Sequence, residues 1–252
     1  MSVTKTKQDI SHIIFGGTRG IGLLLATKLS ARGLGVAITG RQPESDVKVK
    51  FPYLQANLAD NGNYEAVRAY LRDHPALSHF IFNVGGSFGR HERFPSVENF
   101  QYLAGCNLLY IMDVVNFLTE TDTIKNKNFS FMLTTASENL TGNPAYAILK
   151  KSLMDLTIVL EKNFCESGVG IARILLPLIL YEDRYLASEY LNLNSDTARA
   201  AFIKDKLDGF SPVHPDKISE EIVALILSLD RAQPLETTWA ISNDEHYGSV
   251  LS

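Results

Sequence analysis

The chain has 252 residues, with 45% hydrophobic and 21% charged side chains, a composition that builds a sizeable buried core and fits an α/β protein of one domain. Its formal net charge of -4 argues against a nucleic-acid partner, because nothing in it is basic enough to track phosphates. The first eleven residues are polar with no long apolar run behind them, so neither a signal peptide nor a membrane span is expected, and the expected location is cytoplasmic.

The first element is an apolar run, His12-Ile13-Ile14-Phe15, that breaks into Gly16-Gly17-Thr18-Arg19-Gly20-Ile21-Gly22 and resumes with helical spacing. That is the written form of a strand, a tight turn and a helix N-terminus. Gly16 permits the turn, Gly20 lets backbone approach a pyrophosphate, and Gly22 lets the helix pack closely on the sheet. The free N–H groups at the helix start favour an anion. The first helix is expected from Gly20 to about Arg32, and the Gly33-Leu34-Gly35 break leads into a second buried strand, Val36-Ala37-Ile38-Thr39. Dinucleotide folds that prefer NAD often carry an acid at the end of this strand. Here Gly40-Arg41 follows instead, and with Arg19 it supplies two cations where an extra 2'-phosphate would lie, so NADP(H) is the expected cofactor.

Tyr53-Leu54-Gln55-Ala56 reads as a third strand, followed by Asn57-Leu58 and a helix through Tyr64, Val67, Tyr70 and Leu71. Phe80-Ile81-Phe82 is the fourth strand and runs into Asn83-Val84-Gly85. The alternation predicts a Rossmann-like, doubly wound parallel sheet of about seven strands with helices on both faces, and ligands at the carboxyl ends of the strands. Two long helices, Val97 to Leu118 and Tyr146 to Phe164, are apolar nearly all round. A helix covering a sheet needs only one apolar stripe, so the surplus predicts a homodimer or homotetramer. Phe129 to Thr134 and Gly170 to Leu176 are the fifth and sixth strands, Ile218 to Leu229 the last helix, and Thr237 to Ile241 the closing strand. Between them Leu178 to Pro212 is a long excursion, read as a substrate lid. Its Tyr181, Tyr185, Tyr190, Asn192 and Asn194 hint at a polar ligand. Cys106 and Cys165 sit in apolar helical patterns and are expected to be buried reduced thiols. The six histidines lack ligand spacing, so no metal site is expected.

Among the ten tyrosines only Tyr146 has a lysine four residues on, Lys150, and on a helix that spacing places both on one face. A cation held there favours phenolate and brings a tyrosine toward a useful range for proton transfer. With these residues in view, the sequence resembles the short-chain dehydrogenase/reductase family, in order from about His12 to Leu229. Gly16, Gly20 and Gly22 match its glycine turn, with Phe15 in place of the leading threonine. Asn83-Val84-Gly85 matches the end of its Asn-Asn-Ala-Gly turn, and Tyr146 and Lys150 match its Tyr-x-x-x-Lys. The resemblance implies hydride transfer between a nicotinamide and a small-molecule carbonyl or secondary alcohol. Tyr146 would be the general acid or base, Lys150 would hold the ribose and tune the tyrosine, and Asn107 would hold a proton-relay water. Thr135 would orient the substrate oxygen, with Ser137 as the second candidate. The implied cofactor set is Gly16, Thr18, Arg19, Gly20, Ile21, Gly22, Arg41, Asn57, Leu58, Asn83, Gly85, Tyr146, Lys150 and Pro177. Leu178 after Pro177 and Glu182 depart from the family pattern, and they motivate an alternative: a dinucleotide-binding sensor or scaffold without turnover.

Overall fold

The computed structural model describes residues 9–48, 50–85, 95–134, 144–176, 179, 192–206, 213–229 and 237–240. Its strands are β1 (His12–Phe15), β2 (Val36–Gly40), β3 (Tyr53–Gln55), β4 (His79–Phe82), β5 (Asn128–Thr134), β6 (Gly170–Leu176) and β7 (Thr237–Ala240). They form one seven-stranded sheet in the order β3-β2-β1-β4-β5-β6-β7, with every pairing parallel. The expected doubly wound sheet is therefore present, and its order reverses between β1 and β4, the point at whose carboxyl ends open sheets of this kind form a ligand crevice.

Both faces are covered, which is why the central strands read as unbroken apolar runs rather than as alternation. Ile13 and Phe15 of β1, Phe80 and Phe82 of β4, and Phe129 and Phe131 of β5 pack on one face with α2 (Tyr64–Asp73), α4 (Tyr110–Glu120) and α5 (Pro144–Phe164). Their rings stack across neighbouring strands, Phe15 on Phe82 at 5.2 Å and Phe82 on Phe131 at 5.1 Å. Ile14, Ile81 and Met132 point the other way, against α1 (Gly20–Ala31) and α7 (Pro215–Leu229). One row of side chains thus serves each layer.

The long helix read from Val97 to Leu118 is built in three parts: α3 (Val97–Ala104), a π-helical turn at Gly105–Leu109, and α4. The turn lies where Gly105 meets the backbone of Ala59, at a distance that leaves no room for a Cβ. Val97–Glu120 is long and apolar enough to cross a membrane by length and composition, yet 61% of its most apolar window is buried inside the molecule. It serves as a core helix. Boundaries elsewhere differ by one to three residues: α5 begins at Pro144 and α7 at Pro215, while Ala56 follows β3 rather than closing it. Ile241 lies outside the described residues. Cys165 corrects an expectation. It is exposed, on the short 3-10 turn after α5, because the apolar pattern of α5 ends at Phe164, whereas Cys106 is buried as expected. Of the excursion at 178–212, the described part holds α6 (Asp196–Lys206) and Ile179, which bridges to Val213.

Candidate active site

The turn after β1 is shaped by its glycines and by two polar neighbours, Thr39 and Asn83. Gly16 and Gly20 adopt φ of +81° and +56°, the left-handed region that a side chain disfavours. Gly16 N–H donates to Thr39 Oγ1 at 3.2 Å and Gly17 N–H to Thr39 O at 3.1 Å, which fastens the turn to the end of β2. From β4, Asn83 N–H donates to Phe15 O at 3.2 Å and Asn83 Nδ2 to Gly16 O at 3.0 Å. A Cβ on Gly22 would collide with that same Gly16 oxygen and lie 2.7 Å from Asn83 Nδ2. The close packing expected of Gly22 is thus directed at the turn and its asparagine. Ile21 and Gly22 are buried, while Arg19, the N-cap residue of α1, is exposed and no side chain caps the helix. The first turn of α1 carries no acid, so its N–H groups and dipole present a positive end to the crevice.

The side of the site after β2 and β3 brings further predicted residues together. A Cβ on Gly40 would lie 2.5 Å from Thr18 Cγ2 and 2.9 Å from Tyr53 Oη, so Thr18 packs over the end of β2. Arg41 is exposed there, and its Nη1 donates to Tyr102 Oη of α3 at 3.0 Å. Asn57 is half-buried after β3: its N–H donates to Asn63 Oδ1 at 3.4 Å, and its Oδ1 accepts from Ala59 N–H at 3.4 Å. Leu58 beside it is buried. Sequence reasoning passed over Gly17, Thr39 and Tyr102. A hydroxyl at the end of the otherwise apolar β2 is the signal that could have found Thr39; Gly17, whose Cβ would lie 2.5 Å from Ile38 Cγ2, needed the fold.

On the other side of the switch point, Lys150 of α5 reaches beneath the sheet's carboxyl edge. It is 2% exposed, its Nζ donates to Met132 O of β5 at 3.2 Å, and it lies 5.7 Å from the centroid of the Tyr146 ring. A Cβ on Gly85 would stand 2.6 Å from Lys150 Nζ and 3.1 Å from Asn107 Oδ1. Lysine, asparagine and the β4 turn therefore converge on one point. Asn107 reaches it from the π-helical turn, fully buried, with Nδ2 donating to Leu103 O at 2.9 Å so that Oδ1 points at Gly85. Burial disfavours the ammonium and brings Lys150 down from 10.5 to about 8. Tyr146 is half-buried on the same face of α5. Thr135, Ser137, Pro177, Leu178, Glu182 and the lid tyrosines lie outside the described residues.

No protein-family model matches the chain, and no curated protein matches it in sequence. Solved structures do match it in shape. L-sorbose reductase from Gluconobacter frateurii, complexed with NADPH and L-sorbose, superposes with a TM-score of 0.69 at 16% identity, over 87% of this chain and 90% of that one. The 3-oxoacyl-[acyl-carrier protein] reductase from Brucella melitensis, in complex with NAD, gives 0.66 at 20% identity over 88% and 91%. A short-chain dehydrogenase/reductase from Serratia marcescens gives 0.65 at 16% over 92% and 95%. The described strand order and these superpositions together place the chain on the short-chain dehydrogenase/reductase fold.

Proposed function

We propose that the protein is an NADP(H)-dependent oxidoreductase that interconverts a carbonyl compound and its alcohol. The observation that carries this reading is the convergence of Lys150, Asn107 and Gly85 beside Tyr146, at the same sheet edge as the turn closed by Asn83. The turn fits a pyrophosphate: positive-φ glycines, an uncapped helix start and no acid in the first turn. When bound, a nicotinamide dinucleotide supplies or accepts the hydride. In the reductive direction the carbonyl carbon gains that hydride and its oxygen takes the proton of the Tyr146 hydroxyl, giving the alcohol and a phenolate. Lys150 stabilises that phenolate and holds the nicotinamide ribose, while Asn107 supports the path by which a proton returns. Thr135, or Ser137, orients the substrate oxygen.

The preference for NADP(H) rests on Arg19 and Arg41, both exposed beside the crevice, and on Tyr102, which holds the Arg41 guanidinium. Structures of this shape hold either cofactor, NADPH in the sorbose reductase and NAD in the ketoacyl reductase. Fluorescence titration tests the choice: NADPH binds at least tenfold more tightly than NADH, since two charge-assisted contacts contribute about 1.5 to 3 kcal/mol each. Arg41→Ala weakens NADPH and leaves NADH nearly unchanged. Equal affinities contradict the preference. Screening NADPH oxidation against aldehydes, ketones, sugars and acyl thioesters then tests turnover, and binding without turnover assigns the chain to the sensor or scaffold role.

A further inference from the structure

The opposite edge of the sheet, where the strands begin, carries a cavity of about 220 Å³ between α2, α4 and the approaches to β4 and β5. Its floor is core: Leu71, Leu77, Phe80, Phe117 and Leu118 are each less than one-tenth exposed. Its rim is basic and hydroxylic, from Arg72, His74, Thr123 and Lys127, and none of the lining residues is acidic. Arg72 lies 5.6 Å over the Phe117 ring and pairs outward with Glu65 at 2.5 Å. Lys127 Nζ donates to Leu77 O at 2.5 Å, which engages one of an ammonium's three N–H bonds and anchors the head at the cavity wall.

We propose that this cavity is a second ligand site, separate from the nucleotide crevice, and that it takes a small carboxylic acid with a short aliphatic tail. The tail lies against the leucines and phenylalanines of the floor, and the carboxylate pairs with the ammonium of Lys127. Size sets the ligand class. Sites for drug-sized ligands run to roughly 300–1,000 Å³, so a cavity of about 220 Å³ holds a chain of a few carbons and excludes a long acyl group. Charge sets the head group. With Arg72 already paired to Glu65, Lys127 is the lining cation that meets an anion, and the apolar floor beneath it favours an anion that carries a tail over one without, such as phosphate. Burial also holds Lys127 below the ordinary lysine range, and a carboxylate seated beside it raises it back.

Sodium hexanoate is the probe, with 1-hexanol as its uncharged match, titrated into the full-length protein and followed by backbone amide NMR. Hexanoate shifts the signals of residues 71–77 and 117–127 saturably, and hexanol binds there at least tenfold more weakly. Lys127→Met weakens hexanoate at least tenfold and leaves hexanol within twofold. Thr123→Trp, at an exposed position on the cavity mouth, weakens both and serves as a filling variant that leaves the core untouched. Hexanoate shifts confined to the Gly16–Gly22 turn and Tyr146, equal binding of hexanoate and hexanol, or unchanged hexanoate binding in both variants would each overturn the proposal.

Discussion

Lys150 shows how a single buried charge ties stability to function. The folded chain holds its ammonium at about 8, against 10.5 for the free side chain, and the cause is desolvation. Between those two values the unfolded chain keeps a proton that the folded chain has released, so stability rises with pH from about 8 to 10.5. Below about 8 the penalty is fully present. Lys150→Met removes it, so the wild type gains on the variant across that window by about 3 kcal/mol at most, the equivalent of the whole shift. Urea denaturation of both proteins at pH 7.5, 9 and 10 checks this, and parallel profiles contradict it. The residue was legible as Tyr146's partner, since the i, i+4 spacing fixes the shared face. Its burial was not, because only the fold brings Met132, Gly85 and Asn107 around it.

At the scale of elements, the β1–α1 turn works because Gly22 and Asn83 meet at the Gly16 carbonyl. A methyl at position 22 meets the Gly16 carbonyl oxygen, and because that atom is backbone, moving the Asn83 side chain alone makes no room. Gly22→Ala therefore forces the helix start away from the turn, destabilises by about 1 to 3 kcal/mol, and weakens dinucleotide binding. Thermal unfolding followed by NADPH titration reads both effects; an unchanged Tm with unchanged affinity contradicts the packing described. The glycine spacing announced this turn, but it assigned Gly22 to the sheet rather than to Asn83, because a partner 61 residues away leaves no local trace. The π-helical turn at Gly105–Leu109 was equally silent, and so was the close approach of the Ala59 backbone to its Gly105, a contact between residues far apart in the chain. Cys165 was misjudged although the end of α5 at Phe164 was read correctly: one residue past it, the thiol sits on an exposed 3-10 turn that the apolar pattern of the helix does not reach.

At the scale of the whole molecule, the apolar surplus on the long helices remains at the surface: Leu109 and Met112 around α4, and Ile148, Ile158 and Val159 on α5, are each more than a third exposed. A homodimer or homotetramer, the assembly expected from the sequence, would bury these faces. Light scattering at micromolar concentration returns a multiple of the chain mass, and Ile148→Glu with Val159→Glu shifts it toward monomer; a monomeric wild type contradicts the assembly. The parallel sheet of about seven strands and its two covering layers were legible because each strand's run and each helix's stripe are local patterns, whereas the strand order came only with the structure. The substrate was not, because the segment read as a lid, 178–212, offers in its composition no more than a hint of a polar ligand. The central claim is that Tyr146 transfers a proton in a reaction whose cofactor the glycine turn holds, and Tyr146→Phe separates those two jobs. With a carbonyl substrate from the screen, we expect this variant to bind NADPH within twofold of the wild type and to lose at least about 100-fold in kcat, the low end of general acid catalysis. A variant that keeps kcat within threefold of the wild type would contradict the account.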